Sequence, residues 1–227
     1  MNNSLASYFE FQNVNVANLL NALKDTLFMT FVSLFFITIL GVLLGLVLFY
    51  ISRGKTRGAR IIYSIVSAAS NIFRSIPYII LVILLMGFTK LLVGTTIGSI
   101  AAIPSLVVSA TPFYARMVEI AFREVDSGIL ETADSFGANS WQKITKFLIP
   151  ESLPALVSGL TVTTITLIGF TAMAGAIGGG GLGGLAYQEG FTRGNNAVTL
   201  TATVLILVVV FIVQLTGDKI VKKIDKR

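Results

Sequence analysis

The sequence predicts an all-α polytopic membrane protein with five transmembrane helices, and three observations carry that prediction. Of the 227 residues, 54% are apolar and only 12% are charged, and the mean hydropathy is +0.84. The apolar residues gather in runs long enough to cross a hydrocarbon core of about 30 Å, which takes about 20 helical residues. The basic residues gather where those runs end. Arg53, Lys55, Arg57 and Arg60 form one cluster, and Lys219, Lys222, Lys223, Lys226 and Arg227 form another. A net charge of +6 placed in this way reads as orientation against membrane lipid, and no nucleic acid is expected as a partner.

The first span is expected over residues 27–50, where no charge interrupts the apolar run. Gly41 and Gly45 make a small-xxx-small pair, which either admits a second helix closely or sits toward lipid. A short basic connection follows. The second span, 61–88, contains Asn71, Arg74 and Pro77. Pro77 lacks the amide hydrogen for an i to i−4 bond, so it bends or interrupts the helix. Arg74 either snorkels to the interface or turns to a wet protein interior. A turn rich in Gly and Thr leads to the third span, 100–122, in which Arg116 and Glu119 stand three residues apart, within reach of each other on a helix. That pair reads either as an ordinary interfacial ion pair or as part of a device that transmits motion.

Residues 123–151 lose apolarity yet stay patterned. Ile129, Leu130, Ala133, Phe136 and Gly137 recur at helical spacing, and Trp141, Ile144, Phe147 and Leu148 repeat the pattern. Gly137 can close the first short helix, and Asn139 or Ser140 can cap the second. Pro150 and Pro154 are expected to punctuate entry into the fourth span, 153–175, whose Thr and Ser hydroxyls can bond within the helix or line a polar path. A run of six glycines around Leu182 forms a turn with little bulk, read either as a tight connection or as an external gate or docking surface. The fifth span, 197–215, is expected to end at Gly217.

Five crossings can be oriented by charge. With the N-terminus outside and the C-terminus inside, twelve basic residues fall on cytoplasmic segments and only Lys24, Lys90 and Arg193 fall outside. The expected organisation is an external segment 1–25, a transmembrane domain 26–217 that includes the cytoplasmic loop 123–151, and a basic tail 218–227. The first twenty residues hold no Lys or Arg, so no signal peptide is expected. Cysteine and histidine are both absent, which removes thiolate, imidazole and disulfide chemistry, and no residue is expected to act as a catalytic acid or base or to hold a metal.

The loop carries a signature. Glu131-Thr132-Ala133, three residues, Gly137, nine residues and Phe147-Leu148-Ile149-Pro150 resembles the EAA motif of permease subunits of ATP-binding-cassette importers. It departs at Thr132, Phe147 and Ile149, each of which keeps small or apolar character. Further blocks resemble the methionine-importer branch of those permeases: the stretch from Asn71 through Arg74 and Pro77 to Leu81, the stretch from Pro112 through Arg116 to Glu119, and Ala172-Met173-Ala174-Gly175 running into the glycine run.

The resemblance implies a type I importer permease fold in the bacterial cytoplasmic (inner) membrane. It implies a homodimer of this chain, two copies of a cytoplasmic ATPase and an extracytoplasmic substrate-binding lipoprotein. ATP and Mg would be held by the ATPase, with no cofactor in this chain. The solute would be methionine, with both the D and L forms as candidates. Glu131, Ala133, Phe136, Gly137 and Trp141 become candidates for ATPase coupling, and Arg74, Pro77, Arg116 and Glu119 for the pathway or its gate. No Gly-Lys-Ser/Thr follows the glycine run, so no phosphate-binding loop is expected here. Three alternatives stay open on the residues alone: a permease for another amino acid or short oligopeptide, a membrane scaffold, and a self-sufficient secondary transporter, for which five spans without an internal repeat are an awkward number.

Overall fold

A computed structural model describes residues 5–54 and 56–225. Lys55, Lys226 and Arg227, which entered the charge argument, lie outside the described residues. Among the described residues every regular element is helical. Four helices are individually long and apolar enough to cross a membrane, and a bent pair makes the fifth if its two arms are one span.

Helix α1, Val16–Arg53, begins well before the predicted first span. The Asn15 side chain caps it, accepting from the amides of Ala17 and Asn18 at 3.0 and 3.2 Å. The early start is held by protein contacts, not lipid: Leu19 and Ala22 are buried with Leu182 and Ala202 in a small satellite core. Farther along, Gly41 and Gly45 settle the choice left open by the sequence. A Cβ on Gly41 would lie 2.5 Å from a ring carbon of Tyr114, and one on Gly45 would lie 2.5 Å from Val118. Both glycines therefore serve close approach of α1 to α4, Ser99–Arg123, along which α1 packs. Phe49 and Phe122 close that seam edge to face, ring centroids 5.7 Å apart.

The predicted second span is two helices, α2 (Arg57–Ser75) and α3 (Tyr78–Val93), bent by 108°. The cause is Pro77, whose ring forces the preceding residue out of the helical region. Ile76 accordingly adopts φ −74° and ψ 123°. No residue of α2 is buried, so its position depends on a few side-chain ties. α3 is anchored separately, by Tyr78, which stacks on Phe170 with centroids 4.8 Å apart and shares a 3.1 Å hydrogen bond with Ser105.

After α4, the short helix α5, Ser127–Ser135, opens on Asp126, which accepts from the amide of Gly128. Gly137 follows at φ +70°, the left-handed conformation expected of a helix-closing glycine. Asn139 and Gln142 then form a reciprocal capping box, both bonds 2.9 Å, at α6, Ser140–Gln142. Pro150 and Pro154 do not break the chain where punctuation was expected. A wide π-helical turn, Lys143–Leu148, carries α6 straight into α7, Ile149–Ala174. Its relaxed turn lies directly ahead of Pro150, where a proline ring needs room.

The glycine run folds into a hairpin: α7 ends in a π turn, Gly175–Gly179, and α8, Gly181–Leu185, turns back beside it. Gly175, Gly179, Gly181 and Gly184 are buried, which favours the tight connection over the gate. The last helix, α9 (Asn196–Ile224), runs through Gly217 without stopping. Gly217 is buried because α9 crosses α7 there, and an added Cβ would meet Thr161 at 2.2 Å. Close packing, not chain termination, explains this glycine.

Candidate functional site

Three helices line an open-sided cavity of about 480 Å³. α2 supplies Asn71, Arg74 and Ser75, α4 supplies Ser109 and Phe113, and α7 supplies Thr163, Thr166 and Phe170. Arg60, Ser64, Ser67, Asn71 and Arg74 alternate at spacings of four and three residues, so they form one polar stripe down α2 that ends at the cavity. The opposite side of α2, with Ile65, Val66, Ala69 and Phe73, borders an apolar groove against α1 and α4. Arg74 lines the cavity and is exposed in it. Its guanidinium lies 5.5 Å from the centroid of the Phe113 ring.

The Thr-rich face of α7 satisfies itself. Thr163 donates to the Gly159 carbonyl at 2.7 Å and Thr166 to the Val162 carbonyl at 3.0 Å, and Thr161, Thr164 and Thr171 make similar bonds. Both readings of the hydroxyls hold at Thr163 and Thr166, because these two also line the cavity.

Arg116 and Glu119 do not line the cavity. They stand one and two turns farther along α4, in a cluster centred on the fully buried Glu119 carboxylate. Arg116 and Arg123 each reach it at 2.6 Å, and the Tyr63 hydroxyl of α2 donates to it at 3.0 Å. Tyr63 in turn accepts from Arg116 at 3.2 Å and from Arg123 at 3.0 Å. The predicted ion pair is thus present, but as part of a four-residue tie between α2 and the end of α4 from which the loop departs. Pro77 also stands outside the cavity and acts on it through the break that ends α2 beside Ile76, a lining residue.

The loop presents a second surface. Phe136, on the loop before the long helix that begins at Ser140, is 81% exposed, and Trp141, in the first turn of that helix among charged and polar neighbours, is 71% exposed. Glu131 and Gly137 are exposed beside them. Ala133 differs from expectation: it is fully buried, so it seats the loop and offers no contact face. Asp134 and Lys143 form an ion pair that joins α5 to the turn after α6. Leu148 is buried in the main core, and Ile129 and Leu130 pack against it, which fixes the loop to the spans.

A polar cavity among membrane-crossing helices, joined to a folded loop with exposed aromatics, defines a transmembrane subunit of a solute-transport assembly. The chain belongs to the family of binding-protein-dependent transport system inner membrane components, whose model matches residues 37–226. The methionine import system permease protein MetP of Bacillus subtilis (strain 168) is 57% identical over 217 residues, spanning 96% of this chain and 98% of that protein. A probable D-methionine transport system permease protein, MetI of Pasteurella multocida (strain Pm70), is 44% identical over 203 residues, 89% of this chain and 94% of the relative. Among solved structures, a chain of the MetNI methionine ABC transporter in an inward-facing conformation superimposes with a TM-score of 0.88 at 44% identity. That match covers 93% of this chain and 98% of the other.

The sequence does not single out Tyr63 and Arg123, which complete the Glu119 cluster, or Ser109, Phe113 and Phe170, which line the cavity. Arg123 was within reach of the i, i+4 rule from Glu119, and the α2 polar stripe was legible from spacing alone. Nothing local marks Tyr63, whose carboxylate partner is 56 residues away.

Proposed function

We propose that this chain is the permease subunit of an ATP-driven importer, forming the translocation path for methionine by alternating access. The observation that carries this is the exposed Phe136 and Trp141 pair on a loop packed firmly to the spans, in a chain 57% identical to a methionine import permease over nearly its whole length. The chain acts as a homodimer with two copies of a cytoplasmic ATPase and receives solute from an external binding lipoprotein. ATP and Mg are bound by the ATPase, and this subunit hydrolyses nothing itself. Its N-terminus lies outside and its C-terminus inside, with 123–151 and the basic end 218–227 in the cytoplasm.

In operation, the ATPase grips Phe136, Gly137 and Trp141, with Glu131 alongside. Closure of the ATPase pair pulls on α5 and α6, and the buried Ala133 and Leu148 pass the displacement to α4 and α7. The Tyr63–Glu119 tie carries it on to α2, and with α2 the polar wall of the cavity moves. Such a change at one contact is amplified because packed helices shift as bodies.

Gly137 offers a clean test. A Cβ there would meet nothing within 4 Å, so in this chain an alanine and a tryptophan share only the left-handed backbone strain of about 1–2 kcal/mol. Only a partner surface separates them. In reconstituted complexes Gly137→Trp is expected to lose most solute-stimulated ATP hydrolysis while remaining inserted, with Gly137→Ala clearly less affected. Equal hydrolysis by the two variants would remove Gly137 from the coupling surface.

A further inference from the structure

Building on the permease reading, we propose that the cavity between α2, α4 and α7 is a recognition site for a zwitterionic amino acid, in which Arg74 holds the α-carboxylate. The argument begins with the charge of Arg74. It lies 14 residues beyond Arg60, about 21 Å along a straight helix, far from the basic cluster at the start of α2. The guanidinium is exposed into the cavity, and a charge turned into a membrane domain calls for water or an anion to meet it. Arg116 and Arg123 have Glu119. Among the described residues no carboxylate pairs with Arg74, and no acidic side chain lines the cavity. What Arg74 does have is an aromatic neighbour, Phe113, 5.5 Å from its guanidinium carbon, a contact that uses none of the donors with which a guanidinium can grip two carboxylate oxygens.

The other wall is complementary. Thr163 and Thr166 lie one helical turn apart on α7, and each has already spent its hydroxyl proton on a carbonyl of its own helix. They therefore offer only lone pairs to the cavity, which suits the donors of an ammonium group and not those of a carboxylate. Cation on one side and acceptors on the other match the two ends of an α-amino acid. Phe170, held flat against Tyr78, gives an apolar side chain, thioether included, an aromatic surface to rest on. The volume of about 480 Å³ falls within the range of about 300–1,000 Å³ usual for small-molecule sites.

The test uses proteoliposomes containing the full complex of permease, ATPase and binding protein, with uptake of labelled L-methionine and ATP hydrolysis measured in parallel. Arg74→Gln is expected to lower uptake by about tenfold or more, the scale of one lost charge-assisted pair, while binding-protein-stimulated hydrolysis stays within about twofold of wild type. Arg74→Lys, which keeps the charge without the fork, is expected to fall between the two. Should Arg74→Gln fail to assemble, Arg74→Lys decides: partial uptake with normal hydrolysis supports the site, and parallel loss of both overturns it in favour of a structural role. Wild-type uptake by Arg74→Gln also overturns the assignment. A wild-type complex that hydrolyses ATP but imports no methionine sinks the transport reading itself, a distinguishable result.

Discussion

Glu119→Ala is expected to destabilise the folded permease by about 3 kcal/mol, among the largest losses available from a single side chain here. Glu119 is completely buried and accepts from three donors, two of them guanidinium groups. Its removal leaves Arg116, Arg123 and the Tyr63 hydroxyl facing one another with no anion between them. Breaking a buried ion pair from one side costs about 3–5 kcal/mol, and the lower end applies because the arginine side chains are 36% and 44% exposed and partly regain solvent. For a chain of this size that corresponds to about 6–12 °C in unfolding midpoint. Glu119→Gln, which keeps the shape and an acceptor, is expected to lose roughly half as much. Thermal scans of the purified complex in one detergent at one scan rate provide the comparison. A midpoint within about 1 °C of wild type for Glu119→Ala would show that the cluster does not hold α2 to α4.

Gly183→Ala is the second large effect, and its cause is steric. A Cβ at Gly183 would lie 2.2 Å from the carbonyl oxygen of Ala172 and 2.4 Å from its Cα, all backbone that cannot rotate away. The same hairpin is equally tight from the facing strand of chain, where a Cβ on Gly175 would meet the Gly184 amide nitrogen at 2.3 Å. An added methyl in a packed core usually costs about 1–3 kcal/mol by displacing side chains, and here whole helices must part, so the cost exceeds that range. Gly183→Ala is expected to give aggregated or unassembled permease. Gly169→Ala is the control: it lies within α7 with nothing within 4 Å of its Cβ, and helix propensity alone favours the alanine by up to about 1 kcal/mol. Size-exclusion profiles of the two variants should diverge, and a monodisperse Gly183→Ala complex at wild-type yield would contradict the packing of the hairpin.

Much of this architecture was legible from local rules. Span α4 was expected within one residue at each end, because its apolar run is bounded by a Gly-rich turn and a charged segment. The break at Pro77 and the caps at Gly137 and Asn139 follow from single-residue chemistry, and all three are in place. The misreadings share a cause. Hydropathy reports where lipid contact ends, not where a helix ends, so α1 and α9 were cut short where protein packing carries them on through Lys24 and Gly217. Glycine at a helix contact and glycine at a helix terminus look alike in sequence, and only the approach of Thr161 to Gly217 separates them.

The site was legible in part. Arg74, Arg116 and Glu119 stood out because charge inside an apolar run is costly wherever it lies. Which of them shared a cavity was not legible, since the cavity needs α2, α4 and α7 together and the bend at Pro77 that sets α2 against them. The burial of Ala133 was equally hidden, because a small residue suits a contact surface and a tight seat alike.

The central claim is that this chain is the membrane path of a methionine importer. The most direct measurement is uptake of radiolabelled methionine by cells lacking other methionine importers, with this chain deleted and then restored. Uptake should vanish on deletion and return with the chain only when its ATPase is also present. Equal uptake with and without the chain would contradict the account.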